Sequence, residues 1–340
     1  MIDFRYHIVS LISVFIALAV GIALGAGPLK EAIGDSLTGQ VQQLRQDRDG
    51  LRTDLTTAVG AQADQRAYLE AVAPQLLSGA LTGRRVAVIT LGPADADVVA
   101  GVEAKLQAAG ATVSGQVAVT DRWTDPGQRS FRQALAGNVV QYLAPKPAVD
   151  AGTEVELAEA LAQGLTGANP AARDRLSEPA GLILELLSGS DSKLITVKNA
   201  ITAPADTIIV LATPAGKKTT ATPAQAADVL AAQVAVASAA QARSESAVVA
   251  AAGTMTAGDL VSAIMAKDAL AGRLTTVTGV DDVTGQISVP LALNARIGGT
   301  IGHFGFGDKQ APFPQRAVLP GVDRTPVLSA PAAAGAGAAG

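Results

Sequence analysis

Val86–Leu91 reads VAVITL, apolar at every position but Thr90, with Arg84-Arg85 before it and Gly92-Pro93 after it. A short continuous apolar run between turn residues is the mark of a strand buried on both faces, as in parallel sheets. Ala94–Ala109 follows as an alanine-rich helix with Val98, Val99, Val102 and Leu106 on one side, ending at Gly110. Thr112–Thr120 (TVSGQVAVT) is a second strand. Two strands joined by a helix within about 35 residues make a βαβ unit.

Working outward, the same alternation returns. Helical patterns occupy Gln128–Leu143, Glu154–Leu165 and Ala180–Leu187. Strands are expected at Asp206–Ala212, Ala247–Ala252 and Thr275–Val280, with helices at Ala224–Ala240 and Ala257–Lys267 between them. The fold class is therefore α/β: a largely parallel sheet covered by helices, Rossmann-like in topology but without cofactor motifs.

Upstream, Ile8–Ala26 (IVSLISVFIALAVGIALGA) carries no charge. At about 1.5 Å per residue it spans roughly 28 Å, close to a bilayer core. A retained transmembrane anchor is expected rather than a cleaved signal, because the preceding segment holds one basic residue, Arg5, and the apolar run is long. The expected topology is single-pass in the inner (cytoplasmic) membrane, N-terminus inside, with the bulk of the chain on the envelope side. Ser13, Ala17, Gly21 and Gly25 recur every four residues, and such a small-residue strip lets transmembrane helices approach closely.

Between the span and the first strand, apolar residues fall in steps of four and three: Leu37, Val41, Leu44, Leu51, Leu55, Ala58, Leu69 and Val72. Arg48, Gln62 and Gln65 fill the remaining seam positions. A stripe this narrow calls for a partner helix, and a parallel copy of itself is the simplest one, with Arg48 and the glutamines weakening the seam while fixing its register. Pro74 and Gly79 are expected to end the helix. The organisation is thus residues 1–29, cytoplasmic tail and transmembrane helix; 30–79, coiled-coil stalk; 80–310, envelope-side α/β domain; and 311–340, an Ala/Pro/Gly-rich tail expected to be disordered.

The composition of the 340-residue chain excludes much chemistry. A net charge of −4 argues against a generally basic nucleic-acid binder. Zero cysteines exclude disulfides, thiolate metal sites and a cysteine nucleophile, and only His7 and His303 supply imidazoles. The turn Gly92-Pro93-Ala94-Asp95 lacks a dinucleotide-binding glycine pattern. Gly216-Lys217-Lys218-Thr219 lacks the earlier glycine of a phosphate loop and holds a lysine at its Mg²⁺-binding position. Glu154, Glu156 and Glu159 read as a solvated helix face, and Asp281-Asp282 as the start of a loop. Gly302-His303-Phe304, in GHFGFG, is a candidate partner or ligand contact, weighed against a tight turn packed by Phe304 and Phe306. Met255, Met265 and His303 are weak metal candidates, the methionines reading better as core. No catalytic residues, no resident metal and no cofactor are expected, and the chain reads as non-enzymatic.

The opening MIDFRYHIVSLISVFIALAVGIALGAGPL, the heptads, GRRVAVITL and the late GGTIGHFGFG together resemble the actinobacterial copper transport outer membrane protein family (MctB-like), which includes SteB-like proteins of cell division and the envelope. The label implies copper transport or efflux, or a channel. The SteB-like branch implies a membrane-anchored scaffold or regulator of envelope assembly or division, acting with a membrane or cytoplasmic SteA-like partner. The second implication agrees with the non-enzymatic, dimeric reading of the residues. A membrane β-barrel does not, because the apolar runs alternate with helices rather than with polar residues.

Overall fold

The computed structural model describes residues 4–26, 28–201, 203–212 and 222–327, without the side chains of residues 26 and 28–36. It divides into two compact units, Met1–Tyr68 and Leu69–Gly340.

The first unit is helical. α1 is Phe4–Ala26, and its stretch Phe4–Gly25 is long and apolar enough to cross a membrane, with no residue buried within the chain. Ser13 donates its hydroxyl to the Val9 carbonyl at 2.8 Å, so the helix satisfies this polar group by itself. Gly21 and Gly25 have open space where a side chain would stand. α2 runs from Pro28 to Leu77 as one 50-residue helix. Its seam residues are bare: Leu37, Leu44, Leu51 and Leu55 are each at least 60% exposed.

The second unit begins within α2. Ala73 and Leu77 are fully buried, and Leu69 packs against the same core. Leu69 therefore faces the α/β body rather than continuing the exposed stripe. Pro74 is accommodated inside the last turn of α2, and the chain reverses after Leu77 with Gly79 at φ +72°, a conformation only glycine adopts freely.

Strand β1 (Arg85–Leu91) leads to α3 (Ala96–Ala108) and β2 (Thr112–Val119). Next come α4 (Arg129–Val139), extended by a 3-10 turn, and α5 (Thr153–Thr166). A small hairpin of β3 (Ala168–Asn169) and β4 (Ala172–Leu176) precedes α6 (Glu178–Ser188) and β5 (Ile195–Val197). The chain continues through β6 (Thr207–Ala212), α7 (Pro223–Arg243), β7 (Ser246–Ala251), α8 (Leu260–Met265), α9 (Asp268–Ala271), β8 (Thr275–Thr278), α10 (Val283–Ile297) and β9 (His303–Phe304). The sheet order is β5-β2-β1-β6-β7-β8-β9, parallel throughout except for β5.

Side chains alternate across the central strands, and each set joins its own core. Ala87, Ile89, Ile208, Val210, Ala247 and Val249 pack among residues of α4 to α8. Val86, Val88, Ile209, Leu211, Val248 and Ala250 pack among residues of α2, α3 and α10. Both faces of the sheet are thus covered, which explains why β1, β6 and β7 are apolar at nearly every position.

Four features depart from the sequence expectation. α10 lies where no helix was expected: it is buried nearly all round, so it lacks the amphipathic period that announces a surface helix. The expected helix from Ala257 starts instead at Leu260, because the Asp259 carboxylate turns the preceding loop by accepting from the Thr256 and Ser262 amides. Glu154 and Glu159 are not a solvated run, since Glu154 pairs with Arg132 and Glu159 with Arg243, two arginines whose side chains are under 10% exposed. Residues 311–327, expected to belong to a disordered tail, are held as an extended strap. Asn294 bonds Ala317, Arg324 pairs with Asp206 at 2.7 Å, and the Val327 amide reaches the Pro170 carbonyl. The partners of the strap lie far away in sequence, so its own composition does not announce it.

Candidate functional site

In an open α/β sheet, ligands bind beyond the carboxyl ends of the strands, where the order reverses. Here β1 has β2 on one side and β6 on the other, so the reversal falls at β1. A cavity of about 640 Å³ lies there. Its walls come from the ends of β1, β2 and β6 (Leu91, Val119, Leu211), from α3 and α7 (Val98, Leu230, Val236), and from the turn carrying Asp121 and Trp123. Residues 213–221, which join β6 to α7, lie outside the described residues, and with them the Gly216–Thr219 motif.

Each wall has a local cause. Gly92, at φ +91°, lets β1 turn sharply into the segment capped by Asp95, whose carboxylate accepts from the Asp97 amide at 2.9 Å. The 3-10 turn Asp121–Trp123 is tied down from two sides. Thr120 donates its hydroxyl to the Lys193 carbonyl at 2.6 Å. Arg132, buried beneath, donates to the carbonyls of Asp125 at 2.6 Å and Arg122 at 3.2 Å, and to Glu154 at 3.3 Å. This guanidinium fixes the loop that places Trp123 in the wall. Trp123 is 1% exposed, and its indole N–H has no partner among the described residues. The charged residues of the lining are Asp95, Asp121 and Asp259, with no lysine, arginine or histidine among the described lining residues.

Nothing in the sequence singles out this sheet edge: the Gly92-Pro93 turn lacks a ligand-binding glycine pattern, and Trp123, Asp121 and Asp259 belong to no motif. A lone tryptophan in a polar stretch carries no periodic signal, and only the fold brings it to β1.

The other candidates serve the scaffold. Asp281 accepts from the Gly253 amide and Asp282 caps α10, so both carboxylates hold loops. Phe304 is buried in the core and its ring fills the space beside Gly302. Phe306, expected to pack the turn, is 77% exposed. His303, in β9, meets the Thr276 hydroxyl at 2.9 Å, and burial holds its imidazole below the ordinary value, partly offset by the Ala271 backbone. Burial likewise raises the carboxyl of Glu103 on α3. Met255 and Met265 pack against the core, as gap-filling methionines do. No group of three or more His, Cys, Asp or Glu able to hold a metal ion exists among the described residues.

The chain is 27% identical over 331 residues to a protein of Mycobacterium tuberculosis named copper transporter MctB, covering 90% of this chain and 97% of that one. A protein of the same name from Mycobacterium bovis matches equally, and one from Mycobacterium leprae is 30% identical over 125 residues, 37% of this chain and 39% of that one. Residues 1–314 match the family described as copper transport outer membrane protein, MctB. The length of that match, from the N-terminal apolar helix through the sheet to the start of the strap, makes this chain a member of the MctB family.

Proposed function

We propose that this protein is a non-enzymatic, membrane-anchored dimer that serves as a scaffold or regulator in the cell envelope, during wall assembly or division. α1 is its single anchor in the cytoplasmic membrane, N-terminus inside, and α2 pairs with α2 of a second copy. The strand order β2-β1-β6-β7-β8 supports a doubly wound, Rossmann-like body on the envelope side. The carrying observation is the exposure of Leu44 (67%), Leu51 (70%) and Leu55 (64%) along one stripe of α2. In water an apolar stripe of this kind is stable when another helix covers it, and heptad spacing suits a two-stranded coil.

The absence of cysteine from the sequence makes the test direct. In membranes, Leu51→Cys is expected to form a disulfide-linked dimer on mild oxidation, while Thr53→Cys, on the opposite face of α2, is not. Equal cross-linking at both positions, or none at either, would remove the paired stalk.

The name carried by the relatives favours a second reading, in which copper is cargo. Soft Cu(I) ions prefer sulfur and imidazole donors. Met255 and Met265 are engaged in the core and His303 is engaged with Thr276, so the donors present do not make a gathered site. Titration with Cu(I) under reducing conditions separates the readings. Saturable binding abolished by Met255→Ala/Met265→Ala/His303→Ala supports copper handling, and its absence supports the scaffold.

A further inference from the structure

We propose that the cavity at the carboxyl ends of β1, β2 and β6 binds a cationic amphiphile, a small molecule with an apolar body and a positively charged head. Its volume, about 640 Å³, lies in the range of pockets that enclose small-molecule ligands. The walls supply the apolar half of the recognition: Leu91, Val98, Val119, Leu230 and Val236 converge with the Trp123 indole. The charged groups supply the other half.

Phosphate and carboxylate ligands of α/β proteins are held by free amides at helix N-termini. Here the N-terminus of α3 is already occupied by Asp95, and that of α8 by Asp259. An anion in the cavity would find these carboxylates in the places where it needs donors. The third acid, Asp121, is exposed, and its carboxylate makes no hydrogen bond among the described residues. It is the group open to a cationic head.

Trp123 is the only tryptophan in the chain, so intrinsic fluorescence reports this cavity directly. The full chain is reconstituted in phosphatidylcholine liposomes, which contribute no tryptophan signal. It is titrated with three water-soluble probes of equal chain length: hexyltrimethylammonium, 1-hexanol and hexyl phosphate. The expected result is a saturable emission change with half-saturation about tenfold lower for the ammonium probe than for the alcohol, corresponding to one favourable charge contact. Hexyl phosphate is expected to give no saturable change. In Asp121→Asn the ammonium curve is expected to move toward the alcohol curve while the alcohol response is kept, which also shows that the variant retains its cavity. Binding of hexyl phosphate as tight as the ammonium probe would overturn the proposal. So would an ammonium preference unchanged in Asp121→Asn, or a lack of saturable response to all three probes.

Discussion

The buried side chain of Asn294 and the backbone of Ala317 exchange two hydrogen bonds, Ala317 N–H to Asn294 Oδ1 at 2.7 Å and Asn294 Nδ2 to the Ala317 carbonyl at 3.2 Å. The same amide nitrogen donates to the Ala80 carbonyl at 2.8 Å, so one side chain joins α10, the segment after α2 and the strap. Asn294→Ala leaves three backbone groups without their partner. A loss of about 2–3 kcal/mol is expected, read in denaturant unfolding, together with faster proteolytic cleavage within residues 311–327. Unchanged protection of that segment would show that Arg324 and Asp206 suffice to hold it.

Arg132 is expected to matter through the loop above it. Its side chain is 4% exposed and bonds two loop carbonyls and Glu154. Arg132→Ala removes those bonds and leaves the Glu154 carboxylate without its cationic partner, at an expected cost of about 2–3 kcal/mol. Since the loop carries Trp123, the tryptophan emission of the folded variant should shift to longer wavelength. An unchanged emission maximum would mean that Thr120 alone fixes the turn.

Acid sensitivity follows from His303. Burial lowers its folded-state value, so the native protein favours the neutral imidazole more than the unfolded chain does. The unfolded chain therefore binds more protons as the pH falls. The contribution is complete above the unfolded value of about 6.5 and is lost as pH falls through the lower folded value. Melting temperatures measured from pH 8 to pH 5 should drop less steeply for His303→Gln than for the parent protein. Parallel curves would remove this histidine from the acid response.

Arg48 interrupts the stripe on α2 and in the single chain turns to its neighbour Asp49 at 2.6 Å, with both side chains well exposed. A charged residue at a seam position fixes register at a cost in stability. Arg48→Leu should raise the melting temperature of the paired stalk while lowering the yield of the Leu51→Cys disulfide, because the pair then also populates shifted registers. A lower melting temperature would place Arg48 outside the seam.

Much of this architecture was legible because its strands are buried on both sides. β1, β6 and β7 announce themselves as apolar runs between turn residues, and the helices between the strands fall within a few residues of their expected limits. What escaped was whatever depends on distant partners. α10 has no polar face to set its period, with Gln286, Ser288 and Asn294 all buried beside its apolar residues. Glu154 and Glu159 look solvated until α4 and α7 bring arginines to them. The strap is read from Asp206 and Asn294, not from its own prolines and alanines. The cavity was not legible, because the turn at Gly92 carries no ligand-binding pattern and the acids and the tryptophan are assembled only by the fold.

Both border strands of the seven-stranded sheet are short. At one border, β5 is three residues long and runs against its neighbour; at the other, β9 is two residues long and its Phe304 is bridged to Ala311. Neither margin offers a run of vacant amides and carbonyls to a strand from another molecule. Joining these bodies edge to edge through the main sheet is therefore disfavoured, so crowding at a surface need not lead that sheet into intermolecular β-structure.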